Sequence, residues 1–179
     1  LARRHCWLAL SADLGYLARM TKKDVHQRLI EKLASELESI SAAAKNTIST
    51  ATNEAHRSES KYDTFSLESS YLARGQAKRV EELAYALDRL RSLPQKELGG
   101  ASPIQHGALV RLESGDGAKR TLFFCPGGGG EQVTVEGEEV SIVTAQSPLG
   151  KAMLGKAAGA TFDIQIGARA QTFRVVSVE

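Results

Sequence analysis

Between Lys22 and about Arg57 the chain runs without a proline or a glycine. Inside that run His26, Ile30, Leu33, Leu37, Ile40, Ala44, Thr47 and Ala51 recur at alternating steps of four and three residues. This is the a/d spacing of a helix whose apolar seam lies against another helix. Ile48 and Ala55 lie near the same seam, which weakens toward alanine and threonine at its far end and so allows close approach while burying less area. Such a helix is roughly 50 Å long at 1.5 Å per residue. It is too long to wrap inside a small core and needs a partner of similar length.

The partner follows in the chain. From about Phe65 to Leu93, Leu72, Val80, Leu83, Leu87 and Leu90 mark a second seam, dented at Gly75 and Gln76, and Pro94 ends it. The segment between the two, within "EAHRSESKYDTFSLESSY" (54–71), has charges and serines in place of the seam. A short connection between two long helices predicts an antiparallel hairpin, with this segment at its tip.

Residues 94–106, "PQKELGGASPIQH", read as a linker without period. Beyond it the period changes to two. Strands are expected at 107–113, 118–125, 131–136, 139–144, 160–166 and 171–179, separated by glycine-rich turns. "SPLGKAMLG" interrupts them as one short helix, with Ser147 as N-cap, Pro148 in the first turn and Gly155 as its close. The expected fold is therefore α+β in two domains: a hairpin over 20–93, then a twisted antiparallel sheet with one helix over 107–179. Residues 1–19 read as an upstream extension, with "MTKKDVHQ" running from Met20 straight into the helix.

Several functions are excluded by what the chain lacks. Twenty-three Lys and Arg stand against 21 Asp and Glu, a balance unlike that of a general nucleic-acid binder. Cys6 and Cys125 are far apart, which fits neither a disulfide framework nor a zinc motif and suits a reducing cytoplasm. No run approaches the ~20 apolar residues of a membrane span. "GKAMLGK" (150–156) has the G-x-x-x-x-G-K letters of a phosphate loop, but Ala157 replaces the metal-binding hydroxyl and the segment is helical in pattern. The glycine run 127–130 reads as a flexible connection between strands. His5, His26, His56 and His106 lie in separate regions, and no nucleophile–base pair is legible, so no active site of the chain's own is expected. His26 is expected to pack in its seam.

A long hairpin with an acid-bearing tip, followed by a sheet carrying "SPLGKAMLGKAAGATFDI", resembles the bacterial GreA/GreB transcript-cleavage factors. "SKYDTFSLESSYLARGQAKRVEEL" (60–83) is similar to a divergent branch of that family. The resemblance spans roughly 20–179. It implies a coiled-coil hairpin and an FKBP-like C-terminal domain that docks on core RNA polymerase. The hairpin would enter the polymerase's secondary channel, reaching nascent RNA only indirectly. It also implies a cytoplasmic, monomeric protein without membrane or small-molecule ligand. Ser147, Pro148 and Leu149 would face the polymerase; cap, first turn and core contact explain the same three residues without a partner.

At the tip the resemblance points to Glu59 and Asp63, flanked by Glu54 and Glu68. Two carboxylates cannot cage Mg²⁺, which takes six oxygens, but they could complete the shell of an ion the polymerase already holds. Familiar cleaving tips carry two acids three residues apart; here they stand four apart beside Arg57 and Lys61. Three readings follow: assisted RNA cleavage, a polymerase-bound regulator that does not cleave, or an FKBP-like prolyl isomerase. Asp63 serves either as a metal-directed acid or as the N-cap of the second helix.

Overall fold

Thr21 and Asp24 set the start of the first helix. In the computed structural model, which describes residues 20–55, 64–96, 98, 99, 102–166 and 169–179, Asp24 Oδ2 accepts from the Thr21 amide at 2.9 Å and from its hydroxyl at 2.6 Å. The Asp24 amide donates back to Thr21 Oγ1 at 3.3 Å. This reciprocal pair is a capping box with Asp in place of the usual Glu. Helix α1 then runs Lys22–Ala55 and α2 runs Thr64–Arg91. Two cross-links give their sense. His26 Nε2 lies 2.8 Å from the Leu90 carbonyl, and Arg79 pairs with Glu36 at 2.7 Å. Ten residues forward on α1 match eleven backward on α2, so the helices are antiparallel. The Leu90 oxygen can only accept, so Nε2 of His26 carries the proton.

Six strands follow: β1 (Ala108–Ser114), β2 (Lys119–Phe124), β3 (Gln132–Val135), β4 (Glu138–Val143), β5 (Thr161–Ile166) and β6 (Arg169–Val178), with α3 (Pro148–Met153) between β4 and β5. All lie within two residues of their expected bounds. The sheet order is β3-β4-β2-β1-β6-β5. It is mixed, which corrects the expectation of a purely antiparallel sheet: β4 pairs parallel to β2, with Thr121 opposite Val140 and Phe124 opposite Val143. The cause is topological. β3 takes the outer edge and turns at Glu136 and Gly137 into β4, which returns beside β2 in β2's own direction.

Both faces of the sheet are covered. One apolar core joins Val25, Leu29 and Leu33 of α1 and Leu83, Leu87 and Leu90 of α2 to Leu109, Phe123, Val133, Val140 and Ile142. The other, beneath α3, gathers Val110, Leu112, Leu122, Phe124, Met153, Phe162, Phe173 and Val175. Neighbours Phe123 and Phe124 therefore face opposite cores, which explains an unbroken apolar run in β2. The segment expected as a linker ends in the second core: Ile104 is buried, and its N–H and C=O bond to Lys156 O and Gly155 N at 2.8 and 2.9 Å.

The root of α1 packs differently from the expected seam. Its most buried residues are Val25, Leu29 and Leu33, while Ile30, Leu37 and Ile40 are half-buried. At the root α1 lies against both α2 and the sheet, which widens its buried arc by one position. On α2 the seam passes through Gln76, Val80, Leu83, Leu87 and Leu90, and Leu72, expected within it, is 58% exposed.

The glycine run 127–130 is no slack connector. A Cβ on Gly127 would lie 3.0 Å from Ala86 Cα, and one on Gly128 would lie 3.1 Å from Leu33 Cδ1. These glycines form the seat on which both helices of the hairpin rest.

Candidate functional site

Two regions were singled out, the hairpin tip and the start of α3. Glu59 and Asp63 lie outside the described residues, as do Arg57 and Lys61. The described helices end at Ala55 and begin again at Thr64, with Glu54 and Glu68 inside them.

The root of the hairpin is tied to the sheet by specific side chains. Lys32 of α1 pairs with Glu131 at 2.9 Å, and its Nζ donates to Gln132 O at 2.8 Å. Arg79 of α2 pairs with Glu36 and lies 3.7 Å from Glu131. The hydrogen bond to Glu36 holds the guanidinium pKa above its ordinary value. Lys22, itself buried, donates from Nζ to Lys96 O. Partly exposed pairs of this kind are worth about 0–1 kcal/mol each. Full burial of each Val or Leu at the root contributes about 1.5–3 kcal/mol. Packing therefore holds the hairpin to the sheet, and the ion pairs fix its orientation. The 19 residues of α1 beyond Glu36 extend about 28 Å past this junction at 1.5 Å per residue.

At α3, Ser147 Oγ accepts from the Gly150 amide at 3.0 Å and donates to Thr144 O at 2.9 Å. The hydroxyl is fully engaged as a cap. Pro148 is exposed and Leu149 packs partly into the second core. Of the three residues, Pro148 offers the open surface. Gly150 has a steric reason: a Cβ there would fall 2.0 Å from Thr144 O. The letters "GKAMLGK" thus belong to α3 and its exit, not to a phosphate loop.

A groove of about 510 Å³ lies where α2 ends, bordered by Asp88, Arg89, Lys96, His106 and Pro126. Among the described residues its lining holds no Phe, Tyr or Trp. Cys125 is buried, donates to Gly127 O at 2.7 Å, and burial pushes its thiol up to about 12. Among the described residues no group of three or more His, Cys, Asp or Glu could hold a metal ion, and no helix is long and apolar enough to cross a membrane.

The chain is similar to solved structures of transcription factors. A structure of the transcription factor Gfh1 matches at 23% identity over 85% of this chain and 94% of its own, with a TM-score of 0.38. Gfh1 from Thermus aquaticus matches at 24% identity over 83% and 92%, with a TM-score of 0.36. The prokaryotic transcription elongation factor GreA/GreB from Nitrosomonas europaea matches at 19% identity over 61% and 88%, with a TM-score of 0.34. No protein-family model and no curated protein matches the chain.

The root contacts were largely invisible to sequence reasoning. The Thr21–Asp24 box was legible as T-x-x-D before an apolar-periodic run. Lys32, Glu36, Arg79 and Glu131 carry no local signal, because they meet only once the hairpin is seated.

Proposed function

We propose that this chain is a transcription factor that binds core RNA polymerase and presents the 56–63 end of its hairpin to the polymerase active centre. The observation that carries the reading is the seated hairpin. A loop can act at a distance only if its support is stiff, and here two long helices share a core with the sheet and then project beyond it. The "SKYDT…SYLARGQA" and "SPLGKA" segments supply the rest of the case through their likeness to GreA/GreB factors. Pro148, exposed on α3, is the residue we assign to the polymerase rim; Ser147 and Leu149 hold it in place.

In this reading Glu59 and Asp63 contribute carboxylate oxygens to a Mg²⁺ that belongs to the polymerase. Two carboxylates fill too few of six positions to bind it alone, so the ion's site must be mostly the partner's. There the ion would activate water for hydrolysis of backtracked RNA. The chain's own part is to bring negative charge to that point and hold it there. A second reading keeps the docking and drops the cleavage, because Arg57 and Lys61 stand beside the acids and offset their charge.

Capture on immobilised core polymerase tests the docking, and Pro148→Glu should weaken it. Backtracked elongation complexes then separate the two readings. Shortened transcripts with the native chain, lost with Glu59→Ala/Asp63→Ala, support assisted cleavage. Slower transcription with no shortened product supports the second reading. Failure to bind polymerase would end both.

A further inference from the structure

The outer face of α2 carries a pattern that the polymerase reading does not use. Tyr71, Gly75, Lys78, Glu82, Tyr85 and Arg89 follow one another at steps of four and three, and all six are exposed. At 3.6 residues per turn they project within an arc of about 80°, on the side away from the buried seam. Tyr71 and Tyr85 are among the most exposed large apolar side chains described, at 68% and 65%. A Cβ on Gly75 would meet nothing within 4 Å, so the stripe has a dip at that position. Lys78 and Glu82 lie 3.8 Å apart and are mostly solvent-facing.

The order of these residues is self-complementary. Laid antiparallel against a copy of itself about its midpoint near Val80, the stripe sets Lys78 opposite Glu82 of the second chain, and Glu82 opposite its Lys78. Tyr85 falls over the Gly75 dip, where a bulky aromatic meets an absent side chain. Arg89 falls over Tyr71, a cation over a ring face. Each contact occurs twice, as a two-fold interface requires. We infer that α2 is an interaction surface for a second copy of this chain, pairing antiparallel along Tyr71–Arg89.

Nineteen helical residues on each side form a contact at the small end of specific interfaces. The association is therefore reversible and concentration-dependent, with a dissociation constant on the order of micromolar or weaker. The pair covers α2 along its outer length, so pairing and any complex that grips this face exclude each other. This inference needs no polymerase, stands apart from the function proposed above, and departs from the monomer that the family resemblance implies.

Sedimentation equilibrium of the full chain over a range of concentrations tests it. The mass should rise from 19.3 kDa toward twice that value. Lys78→Glu alone sets acid against acid at both symmetric sites, and Glu82→Lys alone sets base against base. Each should weaken pairing roughly tenfold or more. An equimolar mixture of these two variants restores every opposite-charge contact between unlike chains and should regain pairing as a one-to-one complex. Gly75→Leu, which favours helix and fills the dip, should abolish it. A native chain that stays monomeric to near-millimolar concentration would overturn the inference. So would pairing that ignores Gly75→Leu, or variants that fail to pair when mixed.

Discussion

Leu29→Ala probes whether hairpin and sheet are one folded unit. Leu29 is fully buried in the core that joins α1, α2 and the sheet, beside the Gly128 seat. Truncating a buried leucine costs about 2–5 kcal/mol, depending on how far the site collapses. The glycine seat is backbone pinned on one side by Ala86 and can follow only partly, so about 3 kcal/mol is a fair central value. For a chain of this size each kcal/mol lowers Tm by about 2–4 °C, giving a fall of roughly 6–12 °C. The assay needs two reporters: ellipticity at 222 nm for the helices, and amide exchange at Phe123 and Val140 for the sheet. Both should lose stability together and by the same amount. Ala42→Gly, at an exposed position on the projecting part of α1, serves as contrast. It costs about 1 kcal/mol in helix propensity and should loosen amides near it while sparing the sheet. If Leu29→Ala lowered the helix midpoint and left Phe123 and Val140 unchanged, the shared core would be refuted.

Further outcomes follow from other sites. Gly150→Ala should destabilise by ~2 kcal/mol net in urea melts, because the clash with Thr144 O outweighs the helix propensity gained. Cys125, held protonated by burial, should resist thiol reagents at pH 8 in the native chain and react at once after denaturation. Hydrogen bonds from Thr21 hold the Asp24 carboxyl below its ordinary 3.8. Its folded pKa is depressed, so its contribution to stability is present above about pH 4 and lost as pH falls through the folded value. A carboxyl-carbon NMR titration of Asp24 should show that depressed midpoint in the native chain and its return toward 3.8 in Thr21→Val.

Much of the fold was legible because period decides it. Steps of four and three gave the two helices, alternation gave the strands, and Ser147-Pro148 gave the start of α3. What escaped was long-range. Periodicity cannot say that α1 faces two partners at its root, so the burial of Val25 and Leu29 was missed. Nor can it say that Leu72 faces solvent while Gln76 takes the seam, where its Oε1 is buried without a hydrogen-bond partner among the described residues. The parallel pairing of β2 with β4 depends on which edge β3 takes, and no local residue encodes that. The glycine run looked flexible because a seat for another element and a loose loop have the same composition. For the candidate site, the cap role of Ser147 was readable from its neighbours. Glu59 and Asp63 were reached through the resemblance, and they lie outside the described residues.

A photo-crosslinking residue placed at position 59, in the full chain bound to core RNA polymerase, addresses the delivery of the tip most directly. Mapped crosslinks should fall on polymerase peptides beside its catalytic Mg²⁺, and a label at position 148 should mark the outer rim instead. Crosslinks from position 59 confined to the polymerase exterior, with none near the active centre, would contradict it.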